Sequence, residues 1–414
     1  MHIPSTSFDE TILKGNGAFL ANALLERLNP ETWPFTISQL PSDTALVGGA
    51  IRDAFLNRLK DKPDLDFVLP QDAIQTTHNL AKKLGGKVVV LDAERDIARL
   101  VFQGWTIDLA RQIGCNLEKD LLRRDYRVNS IALKLGPDPT ILDPTGGIED
   151  LRKKRLVAVS EENLVEDPLR LLRGLRLMAE LNFFLDAETR TFINTHATLL
   201  RKAAPERIQS ELQRLVDADG AENVITLLKD SGLLGAWSNH NPTYLGSVPT
   251  AKALKIFTAK ELSLAMPLAR LTNLLSDSGL LNLRFSRKQR QRCQLLRKWQ
   301  LRNDGNAYET LNEEDRLQLH MDLVEDLPAL ILTLSKKDQE EWINRWRDLN
   351  DPLFHPCSPL DGNTLQQILD LPEGPYLGEL KHHLCLEKAF GRLNNIDKAF
   401  QEARQWRKHN STLL

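Results

Sequence analysis

The hydrophobic period of this chain changes once, at Pro168, and that change limits the folds open to it. Between residues 44 and 142, short β-rich runs at 44–47, 64–69, 87–91, 97–103 and 106–110 alternate with helical stretches at 50–60, 71–84 and 121–134. Beyond Pro168 turn signals thin out and the spacing is almost wholly helical, as at 169–181, 187–200 and 206–217. A sheet-bearing region followed by a helical remainder is therefore expected. At 414 residues the chain exceeds one hydrophobic core, which predicts about two to four domains. Further joints are marked by a composition shift at 239–249 and by three prolines within 351–359.

With 42% hydrophobic and 27% charged residues, the composition excludes a disordered, collagen-like or disulfide-stapled chain. The longest apolar run, 327–334, is broken by Pro328 and falls far short of the ~20 residues of a membrane helix, so no membrane partner is expected. Met1 to Thr6 has neither the basic nor the apolar region of a secretory signal, and a cytoplasmic location is the expectation. Cys115, Cys293, Cys357 and Cys385 are scattered without metal-ligand spacing and read as buried free thiols. Because 54 Lys and Arg balance 56 Asp and Glu, any sign of a polyanionic partner must be local.

Residues with chemical potential concentrate in the sheet-bearing region. Leu46-Val47-Gly48-Gly49-Ala50-Ile51-Arg52-Asp53 runs from strand to helix through two glycines, which let a phosphate approach the backbone, and Arg52 adds charge. Shortly after it, Asp64-Leu65-Asp66 puts two carboxylates on one strand face and Leu65, Phe67 and Leu69 on the other. Paired carboxylates suit Mg²⁺, which takes its remaining ligands from water and nucleotide phosphates. Asp108, on another alternating run, is a candidate third acid, with Asp92 and Asp96 as competitors; three acids could serve metal-assisted in-line phosphoryl displacement. In Arg123-Arg124-Asp125 the arginines can neutralise a triphosphate, while Asp125 or Asn129 can reach a ribose hydroxyl. Asp143-Pro144-Thr145-Gly146-Gly147 reads as a hinge between two halves.

Two basic stripes lie in the helical part. In Glu166-Asp167-Pro168-Leu169-Arg170, Asp167 suits an N-cap, and Arg170, Arg173 and Arg176 follow one another along a single helix face. Their mutual repulsion calls for a polyphosphate or for paired acids. Residues 284–302 hold Arg284, Arg287, Lys288, Arg290 and Arg292 among eight basic residues and no acid, a patch suited to a nucleic-acid backbone.

In this order the motifs resemble the class II tRNA nucleotidyltransferase and bacterial poly(A) polymerase family of the polymerase β-type superfamily. The resemblance covers Gly48 to Asp53, Asp64 to Asp66, Arg123 to Asp125, Asp143 to Gly147, Glu166 to Arg170 and Glu206-Arg207-Ile208-Gln209-Ser210-Glu211-Leu212, with a weaker match at Asp361-Gly362 and from Leu371 to Gly378. It implies an α+β chain: a nucleotidyltransferase head with a mixed sheet over 1–150, then all-helical neck (151–240), body (241–350) and tail (351–414), the last two binding RNA. It further implies that Asp64 and Asp66 hold Mg²⁺, with Asp108 beside them in catalysis, and that Gly48, Gly49 and Arg52 meet the triphosphate. Arg123, Arg124, Asp125 and Asn129 would serve phosphate and ribose, and Asp167 and Arg170 would read the incoming base with Arg173 and Arg176 in support. Thr145, Arg127, Ser130 and Leu177 depart from the family's usual residues without removing an acid or a base reader.

The implied activity is template-independent nucleotide addition to the 3′ end of tRNA from CTP and ATP. Asp offers only acceptors and Arg only donors, so the pair suits cytosine and adenine, whose amino group lies beside a ring-nitrogen acceptor, and mismatches guanine and uracil. Only fourteen residues separate Asp108 from Arg123, shorter than in complete CCA-adding members and similar to the CC-adding subgroup. CC addition is therefore expected over CCA addition. The alternatives are poly(A) polymerase and an RNA-binding protein that has lost catalysis, the latter opposed by the retention of Asp64, Asp66, Asp167 and Arg170.

Overall fold

The structure is a computed structural model and describes residues 8, 17–238, 256–302, 308–370 and 374–410. The N-terminal hexapeptide, the composition shift at 239–249 and Leu371, Pro372 and Glu373 of the weaker motif lie outside the described residues. Two compact units are present, Met1–Gly235 and Ala236–Leu414.

The first unit is built on a mixed seven-stranded sheet in the order β3-β4-β5-β2-β1-β6-β7. Its strands are β1 (Ala45–Val47), β2 (Leu65–Leu69), β3 (Lys87–Asp92), β4 (Ile97–Phe102), β5 (Trp105–Arg111), β6 (Ala132–Lys134) and β7 (Thr140–Leu142). All neighbours in it are antiparallel except β2 and β5. On β2 the period of two works as expected: Leu65, Phe67 and Leu69 are buried, and Asp66 points to the other face. On β5 Trp105, Ile107 and Leu109 are buried in the same way, which leaves Asp108 on the face of Asp66. At the sheet's edge, β3 exposes Val89, Val90 and Leu91 and is kinked where Leu91 has no partner between Val90↔Ala98 and Asp92↔Ile97.

The helices of this unit are α1 (Gly17–Leu28), α2 (Gly49–Phe55), α3 (Ala73–Leu84), α4 (Leu117–Leu122), α5 (Gly147–Arg152), α6 (Glu161–Glu166), α7 (Leu169–Leu181), α8 (Ala187–His196), α9 (Pro205–Asp217) and α10 (Glu222–Asp230). The helix expected at 121–134 does not form. Instead α4 ends at Leu122, Tyr126 makes an antiparallel bridge to Ala158, residues 127–129 form one 3₁₀ turn and β6 follows. Arg127 N bonds Val157 O and Val159 N bonds Asp125 O, so pairing with a distant segment consumes the backbone groups that a helix would have used. The helical region is also interrupted by β9 (Phe184–Leu185), which pairs in parallel with β8 (Arg155–Leu156).

Within the second unit the described residues form α11 (Ala259–Leu274), α12 (Asp277–Asn282), α13 (Arg287–Arg302), α14 (Glu313–Leu323), α15 (Leu327–Ile331), α16 (Lys336–Arg347), α17 (Gly362–Leu369), α18 (Pro375–Ala389) and α19 (Ile396–His409). Leu365, Leu369, Leu380, Leu384, Ala399 and Ala403 form a core shared by α17, α18 and α19. No described helix is long and apolar enough to cross a membrane. Two cysteines differ from expectation: Cys293 and Cys385 are buried, whereas Cys115 and Cys357 are exposed because they lie in connections rather than on packed helix faces.

Candidate active site

The acidic cluster follows from strand register. Parallel pairing sets Asp66 beside Asp108, and antiparallel pairing sets Arg99 opposite Asp108. Arg99 clamps Asp108 through Nε to Oδ1 and Nη2 to Oδ2, both at 2.7 Å. Asp64 stands exposed just before β2, on the side of Asp66. Burial, followed by the like charge of Asp108 and then by Asp64, raises the Asp66 pKa to about 6, although Arg124 acts against the shift. Asp92 and Asp96 serve elsewhere: Asp92 Oδ1 accepts from Arg95 N, and Asp96 accepts from the main-chain N–H groups of Ala73 and Ile74 at the start of α3.

The glycine turn closes over this cluster. Gly48 has φ +74°, and a Cβ there would lie 3.2 Å from Asp66 Oδ2 and 3.7 Å from Arg124 Nη1. Only glycine combines that backbone conformation with room beside the carboxylate. Arg52 is buried rather than open: its Nε bonds Asp53 Oδ1 at 2.9 Å and its Nη1 bonds Asn129 Oδ1 at 2.8 Å. Asn129 in turn donates to Asp125 Oδ1 at 3.2 Å. Burial opposes the charge of Asp125, but Arg173, Asn129 and its own bond from Tyr126 N together hold its pKa below the usual carboxylate range.

The arginine stripe on α7 is met by acids. Arg173 donates to Asp125 Oδ2 at 3.1 Å and to Glu211 Oε1 at 3.3 Å, and Arg176 donates to Glu211 Oε2 at 2.5 Å and to Glu180 Oε2 at 2.6 Å. Paired acids thus offset the like charges of Arg173 and Arg176. Arg170 differs, with Nη1 bonding the carbonyls of Arg123 at 3.0 Å and Asn163 at 2.9 Å. Asp167 ends α6, accepts Leu169 N at 3.3 Å and receives Arg207 Nη2 at 2.9 Å. Arg123 pairs with Glu166 at 2.6 Å, and Arg124 pairs with Asp120 at 3.1 Å. Asn163 Nδ2 ties the intervening backbone by donating to Leu122 O and Arg124 O, each at 2.8 Å. The Asp143 turn is a helix start, its carboxylate accepting from Gly147 N and Ile148 N.

Sequence reasoning missed Arg99, Asn163, Arg207 and Glu211. Arg99 becomes visible only once the strand register is known, and Asn163 carries no local pattern that separates it from a surface residue. Arg207 and Glu211 stood within a recognised motif, but their partners are 35 to 40 residues away.

In the second unit the basic patch divides along α13. Arg292 is bound to Asp326, Arg297 to Asp277, Lys298 to Asp322 and Arg302 to Asp315. Arg284, Arg287 and Lys288 are exposed at its start, and Arg290 is half-buried.

Among the described residues no group of three or more His, Cys, Asp or Glu side chains is gathered that could hold a metal by itself. The donor set still fits a hard divalent cation that completes its shell from water and phosphate. Asp64 and Asp66 are two neighbouring carboxylates on one side of the strand, and a cation between them would offset both the burial of Asp66 and the like charges of Asp108 and Asp64 that raise its pKa.

Known proteins resemble this chain in sequence and in fold. Residues 44–157 match the Poly A polymerase head domain, and residues 182–237 match the probable RNA and SrmB-binding site of polymerase A. The CC-adding tRNA nucleotidyltransferase of Synechocystis sp. is 30% identical over 90% of this chain and 95% of its own length. The A-adding tRNA nucleotidyltransferase of Deinococcus radiodurans is 37% identical over 50% of this chain and 46% of its own. The Thermotoga maritima CCA-adding enzyme, solved as a complex with tRNA, has the same fold, with a TM-score of 0.70 over 93% of this chain and 98% of its own at 19% identity. With a relative matched along nearly its whole length and the head motifs in place on the sheet, the chain belongs to the family of tRNA nucleotidyltransferases that share the poly(A) polymerase head.

Proposed function

We propose that this nucleotidyltransferase adds two C residues to the 3′ end of tRNA from CTP and uses ATP poorly. The relatives compared above are CC-adding and A-adding tRNA nucleotidyltransferases, which disfavours the poly(A) polymerase alternative. The observation that carries the CC-only reading is the short connection between β5 and α4. Gln112 N bonds Leu69 O at 2.7 Å, Ile113 N bonds Asp120 Oδ1 at 3.0 Å, and Asn116 caps α4 by accepting Lys119 N at 2.9 Å. A segment so pinned is a poor lever for enlarging a pyrimidine pocket to take a purine.

In the proposed reaction the tRNA 3′-hydroxyl oxygen attacks the α-phosphorus of CTP, the bond from that phosphorus to the oxygen bridging to the β-phosphate breaks, pyrophosphate leaves, and the hydroxyl proton passes to solvent. Asp64 and Asp66 would hold Mg²⁺, which when bound orients the phosphates and offsets the charge that develops on them. Asp108, clamped by Arg99, contributes its charge at the side of Asp66. Gly48 and Gly49 leave space for the triphosphate beside Arg124, while Arg52 and Asn129 hold Asp125 toward the ribose. Asp167 and Arg170 read the base, and Arg173 and Arg176 anchor the helix that carries Arg170. Arg284, Arg287, Lys288 and Arg290 supply the RNA-facing charge.

The test is to offer CTP, ATP, UTP and GTP singly and together to tRNA lacking its last three nucleotides and to size the products. Two added C residues with little A are expected, and quantitative ATP incorporation would overturn the CC-only reading. Asp64→Ala and Asp66→Ala are each expected to abolish addition while leaving tRNA binding nearly intact.

A further inference from the structure

The two halves of the base-reading pair are braced differently. Nη1 of Arg170 is fixed on two main-chain carbonyls, those of Arg123 and Asn163, which have no rotamer freedom. Asp167 has only a long bond from Leu169 N, at 3.3 Å, on Oδ1. Its Oδ2 is held by a side chain from another helix, Arg207 of α9, at 2.9 Å. The Arg207 side chain is 52% exposed, so it can swing into solvent where the anchors of Arg170 cannot. The terminal torsion of an aspartate is broad, and without a partner on Oδ2 the carboxylate is free to turn.

We propose that Arg207 is a positioning residue that sets nucleotide selectivity: its bond to Oδ2 locks Asp167 in the pyrimidine setting, and adenine is accommodated only when that bond yields. The inference rests on the reading of Asp167 and Arg170 as the base-recognising pair. The Watson–Crick edge of a purine lies farther from its ribose than that of a pyrimidine, so the same acceptor must retreat to meet adenine. A retreating Asp167 stretches or breaks a charge-assisted hydrogen bond, and that cost falls on ATP alone. Arg207 touches no substrate in this account and acts through Asp167.

The experiment compares Arg207→Ala and Arg207→Lys with the parent enzyme, measuring kcat and KM separately for CTP and ATP on tRNA primers. Arg207→Ala is expected to raise KM for CTP, to keep most of kcat at saturation, and to raise the ATP-to-CTP ratio of kcat/KM by roughly tenfold, the scale of one charged hydrogen bond. Arg207→Lys, which keeps a cationic donor, should restore most of the parent preference. A parallel fall for both nucleotides, or no change, overturns the proposal. Asp167→Ala, run alongside, separates the two levels of the argument. If Asp167→Ala leaves nucleotide choice unaltered, base reading by this pair fails and the Arg207 inference fails with it. If Asp167→Ala relaxes choice and Arg207→Ala does not, only the role of Arg207 falls.

Discussion

Asp66 is held in an environment that favours its neutral form, and this has a cost for folding. Its folded pKa, about 6, lies above that of a free aspartate, so between the unfolded value near 4 and pH 6 the folded state binds the extra proton. Stability from this group therefore rises as the pH falls through 6 and is lowest above it. Asp66→Asn is expected to stabilise the protein at pH 7 by about 1–2 kcal/mol, less than the whole shift because the side chain is partly exposed, while abolishing nucleotide addition. Denaturant melts of the two proteins at pH 7 and pH 5 check it, with the difference shrinking at the lower pH. At this scale much of the candidate site was legible. Asp64, Asp66 and Gly48 are set by a period of two and by a turn, both local. The acid that Arg173 and Arg176 share was not legible, because Glu211 reaches them from a separate helix, whereas Glu180 lies four residues beyond Arg176 on α7 itself.

Helix α7 carries Arg170 and docks on Tyr126, whose hydroxyl donates to Arg170 O at 2.9 Å. A Cβ on Gly174 would fall 2.0 Å from that hydroxyl and 2.6 Å from the ring carbon bearing it. Gly174→Ala is thus expected to push α7 off its seat, costing about 2–4 kcal/mol in a urea melt and lowering turnover by displacing Arg170. Helix α13 supports a different prediction, because its charges fall into two classes. Replacing Arg287 and Lys288 by Ala should reduce the slope of log K for tRNA against log[salt] by about 0.7–0.9 per lost phosphate contact, with no loss of stability. Arg292→Ala should instead lower stability, since it strands Asp326, and should leave the slope nearly unchanged. Filter binding at several salt concentrations separates the two classes. Elements with clean periodicity, such as α3, α7 and α9, were readable from sequence. The segment 121–134 was not, because its apolar residues are also compatible with a helix and only its pairing with 157–159 decides otherwise.

The change of period at Pro168 correctly announced a sheet followed by helices, and the compact units divide at Gly235, just before the composition shift at 239–249 rather than at Pro168. The units also differ in how acid should affect them. His320, in the second, is buried against Phe354 and Trp342, and burial, followed by the charge of Arg345, lowers its pKa to about 3. The unfolded chain binds that proton near pH 6.5, so stability is lost as the pH falls from about 6.5 toward 3. At pH 5 the loss amounts to about 2 kcal/mol, and His320→Phe, which keeps the aromatic packing, should abolish this component. Tryptophan fluorescence during urea unfolding at pH 7 and pH 5 measures it. The kink at Leu91 governs how these molecules behave in company. An apolar border strand invites the backbone of a neighbour to zip alongside, and a sheet extended in that way becomes the seed of a fibre. The supernumerary residue throws such a visitor out of step midway along the border, so the sheet ends where the molecule ends.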